Sequence, residues 1–224
     1  MKKKKQGFTL IEIIIVLAIS GIVLGIIGSI FITGNKVFSD SDIKSSLQIE
    51  AQSIQEKLSD IGMEGVGIYS ITDNQGRETI EIDTESIPIV DLDYDKLKSK
   101  LTDEDGDISN INSENSWLPI TKMEIYPVKE NKFGEWVKGD PIELFEYENE
   151  SNSRLNDGKM VVNNSKLSEN IKDIKINILQ DNTPLKNSNS ILLRITLHKK
   201  KGFSNITYPF FVNIKFRNGF IKNN

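Results

Sequence analysis

Cysteine is missing from all 224 residues, which excludes disulfide bridges and thiolate metal sites. Histidine occurs once, at His198, and no nucleophile elbow accompanies it, so a histidine-based triad has no support and the chain is not expected to be an enzyme. Charge is nearly lacking from one long stretch, because residues 8–33 carry a single ionisable side chain, Glu12. Basic residues form no stripe. The formal net charge is -4, and four of the lysines stand together at the very start, so the rest of the chain is more acidic still. That balance excludes nonspecific binding to a phosphate backbone as the purpose of the whole chain. Outside the start, the one basic run is 198–201, which reads as a charged, solubilising turn with His198 exposed beside it.

What is present is concentrated at the N-terminus. As a helix, residues 8–33 extend about 39 Å, against a hydrocarbon core of about 30 Å, so the segment is long enough to span a membrane. Lys2, Lys3, Lys4 and Lys5 precede it and hold the N-terminus on the cytoplasmic side, which places the remainder outside. A secretory signal peptide fits this pattern, with Ala18, Ile19 and Ser20 as a small-x-small cleavage site before Gly21. An ordinary membrane anchor fits it as well. Neither accounts for Glu12, since a carboxylate inside a spanning segment costs up to about 3 kcal/mol, less near the end of the span.

The string Lys-Lys-Lys-Lys-Gln-Gly-Phe-Thr-Leu-Ile-Glu resembles the start of the type IV prepilins and pseudopilins. Their leader is short and basic, ends in Gly, and is followed by Phe, a short apolar stretch and Glu. The resemblance implies cleavage between Gly7 and Phe8 by a prepilin peptidase and N-methylation of Phe8. It also implies a role for Glu12 in pairing with the terminal amine of a neighbouring subunit. The residue types suit those tasks. Gly7 presents a junction without a side chain in the way, and an unpaired buried charge is so unfavourable that a Glu12–amine pair selects axial register. The implied partners are the peptidase and methyltransferase, the other pilins and an inner assembly platform; no cofactor is implied. The implied location is the cell membrane, single-pass, and then an extracellular filament.

Past the membrane segment, Ile43, Leu47, Ala51, Ile54, Leu58 and Ile61 recur at helical spacing, and Gly62 and Gly65 supply a stop. One helix over 8–61 is therefore expected, about 80 Å long. Gly21, Gly25, Gly28 and Gly34 lie along its first half, where the family often has a proline and this chain has none. Beyond Gly65 the period changes to two. Strands are expected around Ile80 and Ile82, over 123–126, 142–147 and 174–178. The strongest unit is a hairpin of Ile191, Leu193, Ile195 and Leu197 with Ile206, Tyr208, Phe210, Val212, Ile214 and Phe216, turning through Lys199, Lys200, Lys201 and Gly202. The fold class is thus α+β, a long helix packed on an antiparallel sheet. The organisation reads as leader 1–7, membrane or filament-core helix 8–33, amphipathic continuation 34–62 and β-rich extracellular head 63–224. Within the family, the helix around 49–65, the strand ending Phe145-Glu146-Tyr147 and the final 212–218 segment are similar to the larger minor pilins of the PilW and PulJ type.

Other candidates are weaker. A short helix is expected over 91–101, and loops over 103–115, 149–156 and 184–189. The acidic loop Asp103, Glu104, Asp105, Gly106, Asp107 fails the EF-hand template, whose first and last ligands would fall on Leu101 and Asn112, so no metal site is expected. Asn163 and Asn205 head glycosylation-type triplets of the kind an Asn-rich chain contains by chance. Trp117 and Trp136 fall at loops or strand edges. The rival reading is a membrane-tethered or tip-located binding module, an adhesin or DNA-uptake component.

Overall fold

The computed structural model describes residues 9–82, 85–92, 117–134, 136–149, 158–162, 165–178, 185–202 and 204–217. Its architecture is α+β, with one helix laid on an antiparallel sheet. Helix α1 runs Leu10–Glu64, 55 residues, or about 80 Å. Thr9 caps its start, and the Gly65 N–H closes its end on the Gly62 carbonyl. Ile43, Leu47, Ala51, Ile54, Leu58 and Ile61 are its buried stripe, the same residues that carry the helical period. No residue from 10 to 42 is buried. The expected stop at 62 comes a turn early, because Gly62 lies inside the helix and serves packing. A Cβ there would stand 2.1 Å from Cγ2 of Ile214, so only glycine lets the last turn lie flat on the sheet.

Ten strands follow among the described residues: β1 (Gly65–Asp73), β2 (Thr79–Ile82), β3 (Glu85–Pro88), β4 (Trp117–Glu130), β5 (Trp136–Lys138), β6 (Ile142–Asn149), β7 (Gly158–Val162), β8 (Ser165–Asn177), β9 (Ser190–Lys201) and β10 (Ser204–Lys215). The main sheet is ordered β1-β4-β6-β7-β8-β9-β10, with β5 on β4, while β2 and β3 form a separate hairpin. β4 is long enough to serve two neighbours along its length. Residues 122–125 pair with β6, and Trp117, Leu118 and Pro119 pair with β8, so the β6–β7 hairpin enters the sheet as a wedge.

The strands expected at 80–82, 123–126, 142–147 and 174–178 are all present, most of them longer than their apolar alternation. β1, β3, β5 and β7 have no counterpart among the expected strands. β1 contains two glycines and has register shifts against β4 that break strict alternation, and β7 is only five residues long. The C-terminal hairpin pairs in unbroken register from Ser190↔Lys215 to Lys201↔Ser204. It therefore turns later than expected, past Lys201, with Gly202 at φ +59°. This extension corrects the reading of His198, which lies inside β9, buried, with its ring bonded to the Asn205 side chain across the hairpin. Asn205 sits in β10. Of the expected helix over 91–101 only a 3-10 turn, Ile89–Asp91, is seen, and 93–101 lie outside the described residues. Residues 101–115 and 150–156 also lie outside them, as does Asn163. Within 184–189 a 3-10 turn, Leu185–Asn187, buries Leu185.

The core lies between α1 and one sheet face. Ile191, Leu193, Ile195 and Leu197 from β9 and Val212 and Ile214 from β10 are fully buried together with the α1 stripe. Burying each such side chain is worth roughly 1.5–3 kcal/mol, which is enough to hold the amphipathic half of α1 on the sheet.

Candidate functional site

The site begins where the apolar helix begins. Thr9, in extended conformation, is the N-cap, and Glu12 is the third helical residue. The Thr9 N–H and Thr9 Oγ1 each donate to Oε2 of Glu12 at 2.8 Å, and the Glu12 N–H reaches back to Thr9 Oγ1 at 3.4 Å. This is a capping box, in which the carboxylate satisfies a backbone donor that the helix start leaves open. Glu12 is exposed, and its carboxylate faces no cation among the described residues. Lys2, Lys3, Lys4, Lys5, Gly7 and Phe8 lie outside the described residues. Thr9 was not singled out from the sequence, although the signal was present: Thr-x-x-Glu directly before an apolar run marks a helix start.

From Leu10 onwards the helix is apolar on every side. Leu10, Leu17, Leu24, Phe31 and their neighbours are all exposed, and a Cβ at Gly21, Gly25, Gly28 or Gly34 would meet nothing within 4 Å. A helix that is hydrophobic all round needs lipid or other helices about it. The segment is long and apolar enough to cross a membrane.

Polar clamps fix how the second half of α1 sits. The Glu50 carboxylate accepts from Ser168 Oγ and from Asn170 Nδ2, the latter at 2.9 Å and 3.1 Å to its two oxygens. Gln55 Nε2 donates to the Phe211 carbonyl at 2.8 Å, on the outer side of β10, the last strand of the sheet path. Lys199 Nζ reaches Ser46 Oγ at 3.3 Å, and Lys201 Nζ reaches Asp42 at 3.4 Å. The basic run at 198–201 therefore ties the hairpin to the helix, a role its composition did not reveal.

Elsewhere the perturbed charges form a structural knot. Lys122 Nζ lies 3.0 Å from Glu124 and 3.7 Å from Glu143. The hydrogen bond to Glu124 raises Lys122 above the usual lysine range. Burial works against the Glu124 carboxylate, but hydrogen bonds from Lys122 and Ser70 hold it low. Burial and then the Glu146 charge push Glu143 up. Among the described residues no group of three or more His, Asp or Glu is placed to hold a metal ion.

A capped, all-round apolar helix that ends on an antiparallel sheet defines a class of protein, a small α+β domain carried on a single membrane-length helix. The particular kind follows from the start of that helix. The model of the prokaryotic N-terminal methylation motif matches residues 2–28, so the chain carries a type IV prepilin-like class III signal sequence, which supports a pilin-like protein. Neither the curated proteins nor the solved structures offer a significant match.

Proposed function

We propose that the chain is a structural subunit of a type IV pilus or pseudopilus, made as a membrane precursor and drawn into a filament through α1. In this reading a prepilin peptidase cuts between Gly7 and Phe8 and the new amine of Phe8 is methylated, while Lys2, Lys3, Lys4 and Lys5 keep the junction cytoplasmic. Residues 8–33 anchor the precursor and later join the filament core, 34–62 carry the helix onto the head, and the head from 63 stands outside. Glu12 pairs with the terminal amine of the adjoining subunit and sets axial register. The partners are the peptidase and methyltransferase, the assembly platform and the other pilins. A minor, tip or initiation role is the finer form of the proposal and rests on the resemblance of 49–65, 145–147 and 212–218 alone.

The observation that carries the reading is a join. The methylation motif over residues 2–28 runs into a 55-residue helix whose first half is bare and whose second half is packed. The mass of the mature N-terminus tests it. The expected chain begins at N-methylated Phe8; one beginning at Gly21, or retaining Met1, would falsify the proposal.

A tip-located binding module is the second reading. It is favoured by Phe133, which is 88% exposed at the turn between β4 and β5. The Asn131 side chain accepts from the Phe133 N–H at 2.9 Å, and Gly134 at φ +76° completes that turn. Pro127 of β4 pairs with Gly65, the cap that closes α1, so β4 passes the end of the helix opposite residue 10 shortly before this turn.

A further inference from the structure

The hairpin of β9 and β10 lies lengthwise on the packed half of α1, and its contacts fix which way it points. Ile214 packs over Gly62, Gln55 donates to the Phe211 carbonyl, Lys199 reaches Ser46 and Lys201 reaches Asp42. Residue numbers in β10 thus rise together with those of α1, so the turn of the hairpin points back toward the bare half of the helix. The spacings agree. From 199 to 201 a strand advances about 7 Å, and from 46 to 42 a helix advances about 6 Å. Gly202, one residue past Lys201, therefore stands about level with residue 40.

Asn35 and Lys36 end the apolar run, and a lysine at the end of a span reaches for the headgroups. From residue 36 to the level of residues 40–42 is about 6–9 Å, close to the Debye length of about 8–10 Å within which a charged membrane surface is felt. Lys200 and Lys201 are exposed at that level. Lys36, Lys44, Lys199, Lys200 and Lys201 outnumber the acids nearby, Asp40 and Asp42, in a chain that is acidic as a whole. Asp42 is engaged by Lys201, and one oxygen of Asp40 is buried, so the excess cationic charge lies outermost. We infer that the tip of the β9–β10 hairpin, from Lys199 to Gly202, rests on anionic phospholipid headgroups of the outer leaflet while the chain is a membrane precursor. The lysines meet the lipid phosphates and hold the head against the bilayer. The contact is electrostatic and therefore reversible, so it does not trap the helix in the membrane. It rests on the membrane-precursor reading and adds the face of the head that meets the bilayer and the class of lipid it takes.

Amine acylation tests it in the full-length chain, placed in nanodiscs of phosphatidylcholine alone or with about 30% phosphatidylglycerol and read by peptide mass spectrometry after an uncharged reagent. Lys200 and Lys201 should react about three-fold more slowly in the anionic discs, and about 1 M salt should remove the difference. Lys132, in the turn between β4 and β5, should react alike in both. Lys200→Glu leaves the bonds of Lys199 and Lys201 to α1 in place and should return Lys201 to its rate in phosphatidylcholine. Equal rates at Lys200 and Lys201 in the two lipids, or equal slowing at Lys132, would overturn the inference and leave the membrane-precursor reading standing. So would slowing by inorganic phosphate in phosphatidylcholine discs, which would mark a phosphate site in place of a lipid contact. A chain that inserts into neither disc would overturn both.

Discussion

At the scale of single residues, the capping role of Glu12 can be separated chemically from the register role proposed for it. Its carboxylate closes the capping box with Thr9, a task glutamine performs equally well, and it carries the charge that the proposed register pairing needs. Glu12→Gln is therefore expected to keep the helix start and normal leader cleavage but to lose most filaments, counted by shearing and immunoblot. Filaments at the original level would show that capping alone matters. Normal filaments with lost attachment would belong to the tip-module reading. His198 teaches the converse lesson. Beside three lysines it reads as a surface residue, yet its ring is buried against Asn205 because β9 continues through Lys201.

Among the elements, α1 shows how local preference and packing compete. Gly62 costs the helix up to about 1 kcal/mol relative to alanine, so Gly62→Ala would stabilise an isolated helix. In the protein the added Cβ meets Ile214 at 2.1 Å, and overpacking of that kind costs roughly 1–3 kcal/mol. The substitution is expected to destabilise, lowering the urea midpoint of the detergent-solubilised chain. The loss should shrink in an Ile214→Ala background, and an equal loss in both backgrounds would show that the contact is not the cause. The clamps from Glu50, Gln55, Lys199 and Lys201 belong to the same scale: each joins residues more than a hundred positions apart. Periodicity within one segment carries no trace of such pairings.

For the molecule as a whole, the division of α1 supports the proposed membrane topology. Residues 10–42 offer no buried side chain, and packing begins at Ile43, so the helix leaves the head as a bare rod about 50 Å long. With the lysine leader inside, protease added to the outer face of intact cells is expected to remove the sheet and leave a protected peptide ending shortly after residue 33. A fully protected chain, or complete digestion, would reverse or abolish the proposed orientation.

The sequence alone determined the helix, its buried stripe, the methylation motif and the C-terminal hairpin. Each of these is a local pattern, set by side-chain periodicity or by a short string of residue types. Only the tertiary structure decided that β1 and β7 are strands, that Gly62 is a packing residue and Gly65 the cap, and that the basic turn binds the helix. Those features depend on which distant segments come together, and the energy that selects them resides in contacts between segments.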